Sequence, residues 1–169
     1  MTDSDRRRLD SRLEAEGAEF LVLAYLLIEG IQAIKAYTRF PGYDLIAADP
    51  DNGTSCRIQV KSRWATDYDR GFPLANLDCD FVVLVALNRG FRYYRRKNAD
   101  SMDGRRPPEL YVFPIDVLRP LVQQSGGWSK VSLRKVPQAD GYLDRWDLIK
   151  EQLRHTADHE RGLPSRAGV

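Results

Sequence analysis

Hydrophobic and polar positions alternate in two rhythms along the chain. Over residues 11–29 apolar side chains recur at helical spacing, with Ser11 as N-cap, Glu14 three residues on and Gly30 as the stop. From Phe20 onward this helix is apolar on nearly every side, which predicts burial on more than one face. The rhythm then changes to period two. Residues 31–36 read as a short strand and residues 43–48 as a second. "DPDNGT" is turn chemistry, because Asn52-Gly53 tolerates the positive φ of a hairpin, and residues 55–62 are the return strand. "DRGFPLANL" reads as a loop, and "CDFVVLVAL" as a strand too apolar for a sheet edge. Residues 89–109 form a polar, basic insertion. "LYVFP" is a strand ended by Pro114, and "IDVLRPLVQQS" a short helix interrupted at Pro120. "KVSLRKV" alternates like an edge strand, "YLDRWDLIKEQLRHTADHE" is a closing helix, and the last nine residues read as disordered. This order predicts one α/β (α+β) domain over residues 11–154, with a charged arm at 1–10 and a polar tail at 155–169.

Composition narrows this picture only slightly. A chain of 169 residues fits one domain and can bury on the order of two-thirds of its unfolded surface. The net charge of +2 does not by itself imply a polyanion partner, so the placement of charge matters more than its total. Two cysteines, Cys56 and Cys79, make no disulfide framework and suit a reducing, cytoplasmic setting. The first residues are too polar for a signal peptide. The longest apolar run, residues 20–28, is nine residues long, against the ~20 that span a bilayer. No internal repeat is visible.

The hairpin carries the candidate chemistry. Along the return strand Cys56, Ile58 and Val60 point one way, and Arg57, Gln59 and Lys61 the other. A two-residue turn at Asn52-Gly53 places Asp44 opposite Lys61. A four-residue loop, 50–53, places Asp44 opposite Gln59. Either register puts Asp44, Gln59 and Lys61 on one face, and a bulge or an odd-length loop breaks that parity. A surface salt bridge explains the trio equally well and is worth ~0–1 kcal/mol. The apolar neighbours Tyr43, Leu45, Ile46, Ile58 and Val60 favour use over decoration, since polar groups at the edge of a core are costly unless satisfied.

"GYDLIA" followed by "RIQVKSR" resembles the core of the PD-(D/E)xK nuclease superfamily, with Gln in the position usually held by Glu or Asp and Tyr43 where the motif has Pro. Resolvase and homing-endonuclease-type members are similar. Many members carry a helix Glu about eleven residues before a Gly, and here Glu19 stands eleven residues before Gly30. The resemblance spans roughly residues 15–149 as a pattern. It implies a restriction-endonuclease-like mixed sheet of about four to five strands flanked by helices. It also implies a Mg²⁺-dependent endodeoxyribonuclease, with Mn²⁺ as a substitute. The metal ligands so implied are Asp44, Gln59, the backbone carbonyl of Val60, and Glu19. Lys61 is implied to orient or help deprotonate the attacking water, or to stabilise transition-state charge. Glu16, one helical turn before Glu19, is the competing helix carboxylate. Gln59 coordinates without charge, so the resemblance leaves two readings: an active endonuclease of homing, defence or restriction type, and an inactive nuclease-fold module that binds nucleic acid or a protein partner. A small nuclease that cuts both strands implies a homodimer or higher homo-oligomer.

Other candidates are weaker. His155 and His159 lie four residues apart on the closing helix, but no Cys is near and Thr156 stands where a zinc protease needs Glu. Arg92, Arg95, Arg96, Lys97, Arg105 and Arg106 crowd the insertion among Phe91, Tyr93 and Tyr94. They read either as a solvated loop or as a DNA-contacting element, with Arg6, Arg7 and Arg8 as a supplementary arm. The sequence does not separate DNA from RNA.

Overall fold

The computed structural model describes residues 11–36, 42–67, 71–91, 104–125 and 128–161. Helix α1 (Ser11–Ile28) buries Ala18, Val22 and Leu26 completely. Their four-residue spacing makes one stripe, which packs on the sheet. The helix stops at Gly30, whose φ of 76° turns the chain back so that the Ile31 N–H reaches the Leu26 carbonyl at 2.8 Å.

Strands β1 (Gln32–Lys35), β2 (Leu45–Asp49), β3 (Thr54–Arg63), β5 (Phe81–Ala86) and β6 (Glu109–Pro114) form one sheet in the order β1-β2-β3-β5-β6. Only the β3–β5 pair is parallel. The fold is therefore the expected α+β arrangement, a mixed five-stranded sheet flanked by helices. The β2–β3 register pairs Leu45 with Ile58 and Asp49 with Thr54, so the turn is the four-residue alternative. Asp49 fixes it by accepting the Asn52 N–H at 3.2 Å and the Asn52 Nδ2 at 2.8 Å, and Gly53 supplies a φ of 70°.

Elements outside this hairpin depart from the sequence pattern. "DRGFPLANL" is not all loop: it contains β4 (Gly71–Pro73). The short helix after Pro114 is one turn, α2 (Ile115–Leu118), followed by a 3-10 turn at Arg119–Leu121, where Pro120 cannot donate to a continuing α-helix. Its tail becomes β7 (Gln123–Ser125), which pairs with β8 (Trp128–Ser132). The first half of the predicted edge strand is thus the middle of a second sheet, in the order β4-β8-β7, and its second half is a 3-10 turn at Leu133–Lys135. The closing helix, α3 (Asp147–Arg161), begins after a 3-10 turn at Ala139–Tyr142 rather than at Tyr142 itself.

These additions explain why every residue of β5 is buried. One face of the large sheet is covered by α1 and α3, through Leu26, Ile58, Val83 and Ile149. The other is covered by the small sheet and α2, through Phe72, Leu84, Phe113 and Leu118. The Tyr25 ring of α1 stacks on Trp146 at 5.7 Å, and Thr54 Oγ1 donates to the Leu153 carbonyl at 2.8 Å, tying α3 to β3. Each core takes one cysteine. Burial pushes the Cys56 thiol up to about 12 and the Cys79 thiol up to about 11, so both stay protonated and act as small apolar groups. Among the described residues no helix is long and apolar enough to cross a membrane.

Gly42 closes the approach to β2. Its φ is 112°, and a Cβ there would lie 2.9 Å from the Asp78 carbonyl and from Asn76 Nδ2. Gly42→Ala is expected to destabilise the domain by about 1–3 kcal/mol, from left-handed strain plus the clash. Urea unfolding measures this, and parental stability would contradict the assigned backbone.

Candidate functional site

Asp44 lies one residue outside the β2 ladder, which ends at the Leu45–Ile58 pair. Its backbone explains why. The Asp44 N–H donates to the Ile58 carbonyl at 2.8 Å, while its own carbonyl accepts from Ala36 on the β1 side at 2.9 Å. A regular strand residue aims both groups at the same neighbour, so the chain twists at Asp44 and β2 parts from β3. The Asp44 carboxylate then fills the lost ladder position: Oδ2 accepts the Val60 N–H at 2.7 Å. Asp44 Oδ1 accepts no hydrogen bond among the described residues.

A notch results at the edge of β3. Backbone groups of Ile58 and Val60 both point toward β2, so the Val60 carbonyl opens into the notch beside the N–H that Asp44 holds. Gln59 lies between these two residues. It is 6% exposed, and its Oε1 is buried without a hydrogen-bond partner among the described residues. Such an acceptor costs about 1–3 kcal/mol when left unsatisfied. Gln59 pairs with Val82, and Lys61 with Leu84, so both side chains project from the face that carries the small sheet. Lys61 forms no ion pair among the described residues.

The helix carboxylates share another partner. Glu19 pairs with Lys35 Nζ at 2.8 Å, and Glu16 pairs with the same ammonium. Lys35 sits opposite Leu45 and shares its face, the one covered by α1. No hydrogen bond or ion pair joins Glu19 to Asp44, Gln59 or Lys61. Burial lowers the affinity of Lys35 for its proton, but the two carboxylates outweigh it and leave its pKa raised. Lys35 also lies 4.7 Å above the Phe20 ring. Sequence reasoning passed over this lysine, although a lysine inside a half-apolar strand is a signal for a buried counter-ion. The sequence marked Glu14 only as part of the helix start, whereas its Oε1 accepts from Ser62 Oγ at 2.9 Å, next to Lys61.

Of the cations singled out in the insertion, Arg105 and Arg106 are described and exposed, and Arg92, Arg95, Arg96 and Lys97 lie outside the described residues. Arg6, Arg7 and Arg8 also lie outside. His155 is exposed on α3. Among the described residues no group of three or more His, Cys, Asp or Glu side chains is placed to hold a metal. A separate cleft of about 380 Å³ opens at the far end of the sheet, between Gln32, Asp49 and Arg154. Of its charged residues, Lys150 pairs with Glu29 and Asp49 with Asn52.

No protein-family model matches the chain, and no curated protein is similar to it in sequence. Its fold is similar to that of a bacterial homing endonuclease, I-Ssp6803I, with a TM-score of 0.58 and 20% identity over 89% of this chain and 98% of that one. The Holliday junction resolvase Hjc of Archaeoglobus fulgidus also matches, with a TM-score of 0.42 and 16% identity over 73% of this chain and 88% of the resolvase.

Proposed function

We propose that this chain is a metal-dependent endodeoxyribonuclease of the PD-(D/E)xK type, acting at the notch between β2 and β3. The observation that carries the reading is Gln59 Oε1, a buried acceptor without a partner, set between the two residues whose backbones hold Asp44. An acceptor in that position is available to a ligand that enters the notch. The fold likeness to a homing endonuclease supports it.

The donors fit a hard divalent cation. Asp44 offers a carboxylate oxygen, Gln59 a carboxamide oxygen and Val60 a carbonyl, an all-oxygen set suited to Mg²⁺ or Mn²⁺. Such a cation, when bound, makes water a better nucleophile and draws charge from the phosphoryl group. The chain supplies the rest. Val60 N–H fixes the Asp44 carboxylate. Lys61 Nζ donates hydrogen bonds to the attacking water and to the phosphoryl oxygen on which charge develops. Water replaces one ester oxygen on phosphorus, and that oxygen leaves with a proton. We keep Glu19 as the helix carboxylate of the site. It pairs with Lys35, which sits opposite Leu45, the residue that follows Asp44. Nicking of a supercoiled plasmid with Mg²⁺ or Mn²⁺ tests the activity.

A second copy of the chain is proposed as the partner of α1. Leu13, Phe20, Leu27 and Ile28 are 73%, 47%, 53% and 77% exposed, on the side opposite Ala18, Val22 and Leu26. The exposed Gly17 and Ala24 alternate with them, and a Cβ at Gly17 would meet nothing within 4 Å. Large and small positions thus alternate along one stripe, which matches a two-fold antiparallel copy of itself, large against small. Light scattering should give a dimer for the parent and a monomer for Phe20→Glu. A parent that stays monomeric with DNA contradicts paired cutting.

A further inference from the structure

We infer that Arg89 and Arg105 form a phosphate clamp for a nucleic-acid backbone at the C-terminal end of β3 and β5. The inference rests on the nuclease reading only for the identity of the polyanion. The two residues face each other in an antiparallel bridge. Like charges directly opposite each other destabilise such a pair. Both are exposed, and neither has a carboxylate partner among the described residues. Arg105 Nε turns instead to the Arg89 carbonyl, at 3.3 Å. Arg106 beside them has Glu109 at 3.3 Å, the one carboxylate paired with this cluster among the described residues. Two exposed arginines set opposite each other on a bridge offer a site for an anion, and the guanidinium fork suits phosphate oxygens.

The base beneath them is built to hold that repulsion. Asn88 is fully buried with a φ of 51°. Its Nδ2 donates to the Pro107 carbonyl at 3.0 Å, and its own carbonyl accepts the Arg106 N–H at 3.1 Å. Thr66 Oγ1 donates to the Gly104 carbonyl at 2.8 Å and accepts the Gly90 N–H at 3.2 Å. The Phe91 ring lies so close over Gly104 that a Cβ there would stand 2.6 Å from it. Both sides of the bridge are therefore fixed before any ligand arrives. The Arg89 N–H bonds the carbonyl of Trp64, the residue after β3 and three beyond Lys61, at 2.8 Å. That is about 10 Å of extended chain. The clamp and the notch can hold neighbouring phosphates of one backbone.

The test is duplex binding by fluorescence anisotropy in EDTA, over a salt series and on several unrelated sequences. Arg89→Gln with Arg105→Gln should flatten the slope of log affinity against log salt by about two units, equally on every sequence. Arg154→Gln, an exposed arginine at the other end of the sheet, should leave it unchanged. Each single variant should melt no lower than the parent, because it relieves repulsion. A parental slope in the double variant overturns the clamp, and so does a marked drop in melting temperature, which would make the arginines structural. Inorganic phosphate that stabilises the parent but not the double variant, with DNA binding unaltered, overturns the nucleic-acid assignment. A parent that binds with the predicted slope yet cuts nothing overturns the nuclease reading and leaves the clamp standing.

Discussion

Lys61→Ala should slow plasmid cleavage about 10²–10⁴-fold while leaving DNA affinity close to that of the parent. The reason is positional. Lys61 shares a sheet face with Gln59, two residues along β3, and no carboxylate among the described residues holds its ammonium. One cation among many adds little to binding, but a hydrogen-bond donor aimed at developing charge acts only in the transition state. The loss should therefore fall on kcat, and Lys61→Arg should restore little, because the broad guanidinium fork does not reproduce a compact ammonium. Single-turnover cleavage beside anisotropy separates the two quantities. An unchanged cleavage rate in Lys61→Ala would remove Lys61 from the mechanism.

Gln59→Leu should be both more stable than the parent and inactive. The parent buries Gln59 Oε1 without a partner among the described residues, and leucine of similar size removes that unsatisfied acceptor. The expected gain is about 1 kcal/mol, or about 2–4 °C in melting temperature for a chain of this size. Loss of an oxygen donor should lower divalent-cation affinity and with it activity, by about 10²-fold or more. Calorimetric melting with and without Mn²⁺ reads both effects: Mn²⁺ should raise the parent's melting temperature and leave the variant's unchanged. A variant that is less stable and still active would make Gln59 an ordinary structural residue.

The fold was legible wherever the signal was local. Asn52-Gly53 behind Asp49 set the hairpin and offered two registers that keep one face, and the structure adopts the four-residue one. The unbroken apolar run of β5 required cover on both faces. The small sheet was not legible, because Gly71–Pro73 holds too few residues to show a period and exists only by pairing with Val131 and its neighbours, far along the chain. KVSLRKV alternates as any half-buried strand does, and alternation does not separate an edge from a middle position. The twist at Asp44 was foreseen only as a way for parity to fail. It arises because the chain must leave β3 for Ala36 on β1, a tertiary demand with no local mark. Glu19 was read from spacing along α1. Its pairing with Lys35 depends on how the helix docks on the sheet, which spacing alone does not encode.

The most direct measurement is nicking of supercoiled plasmid by the parent, with Mg²⁺, with Mn²⁺ and with EDTA, beside Lys61→Ala at equal concentration. The account predicts nicked and linear product with either metal, none with EDTA, and at most about one-hundredth of the rate in the variant. An intact plasmid with every divalent metal, from a parent that still binds DNA with a steep salt slope, would contradict it and make the chain a nuclease-fold binding module.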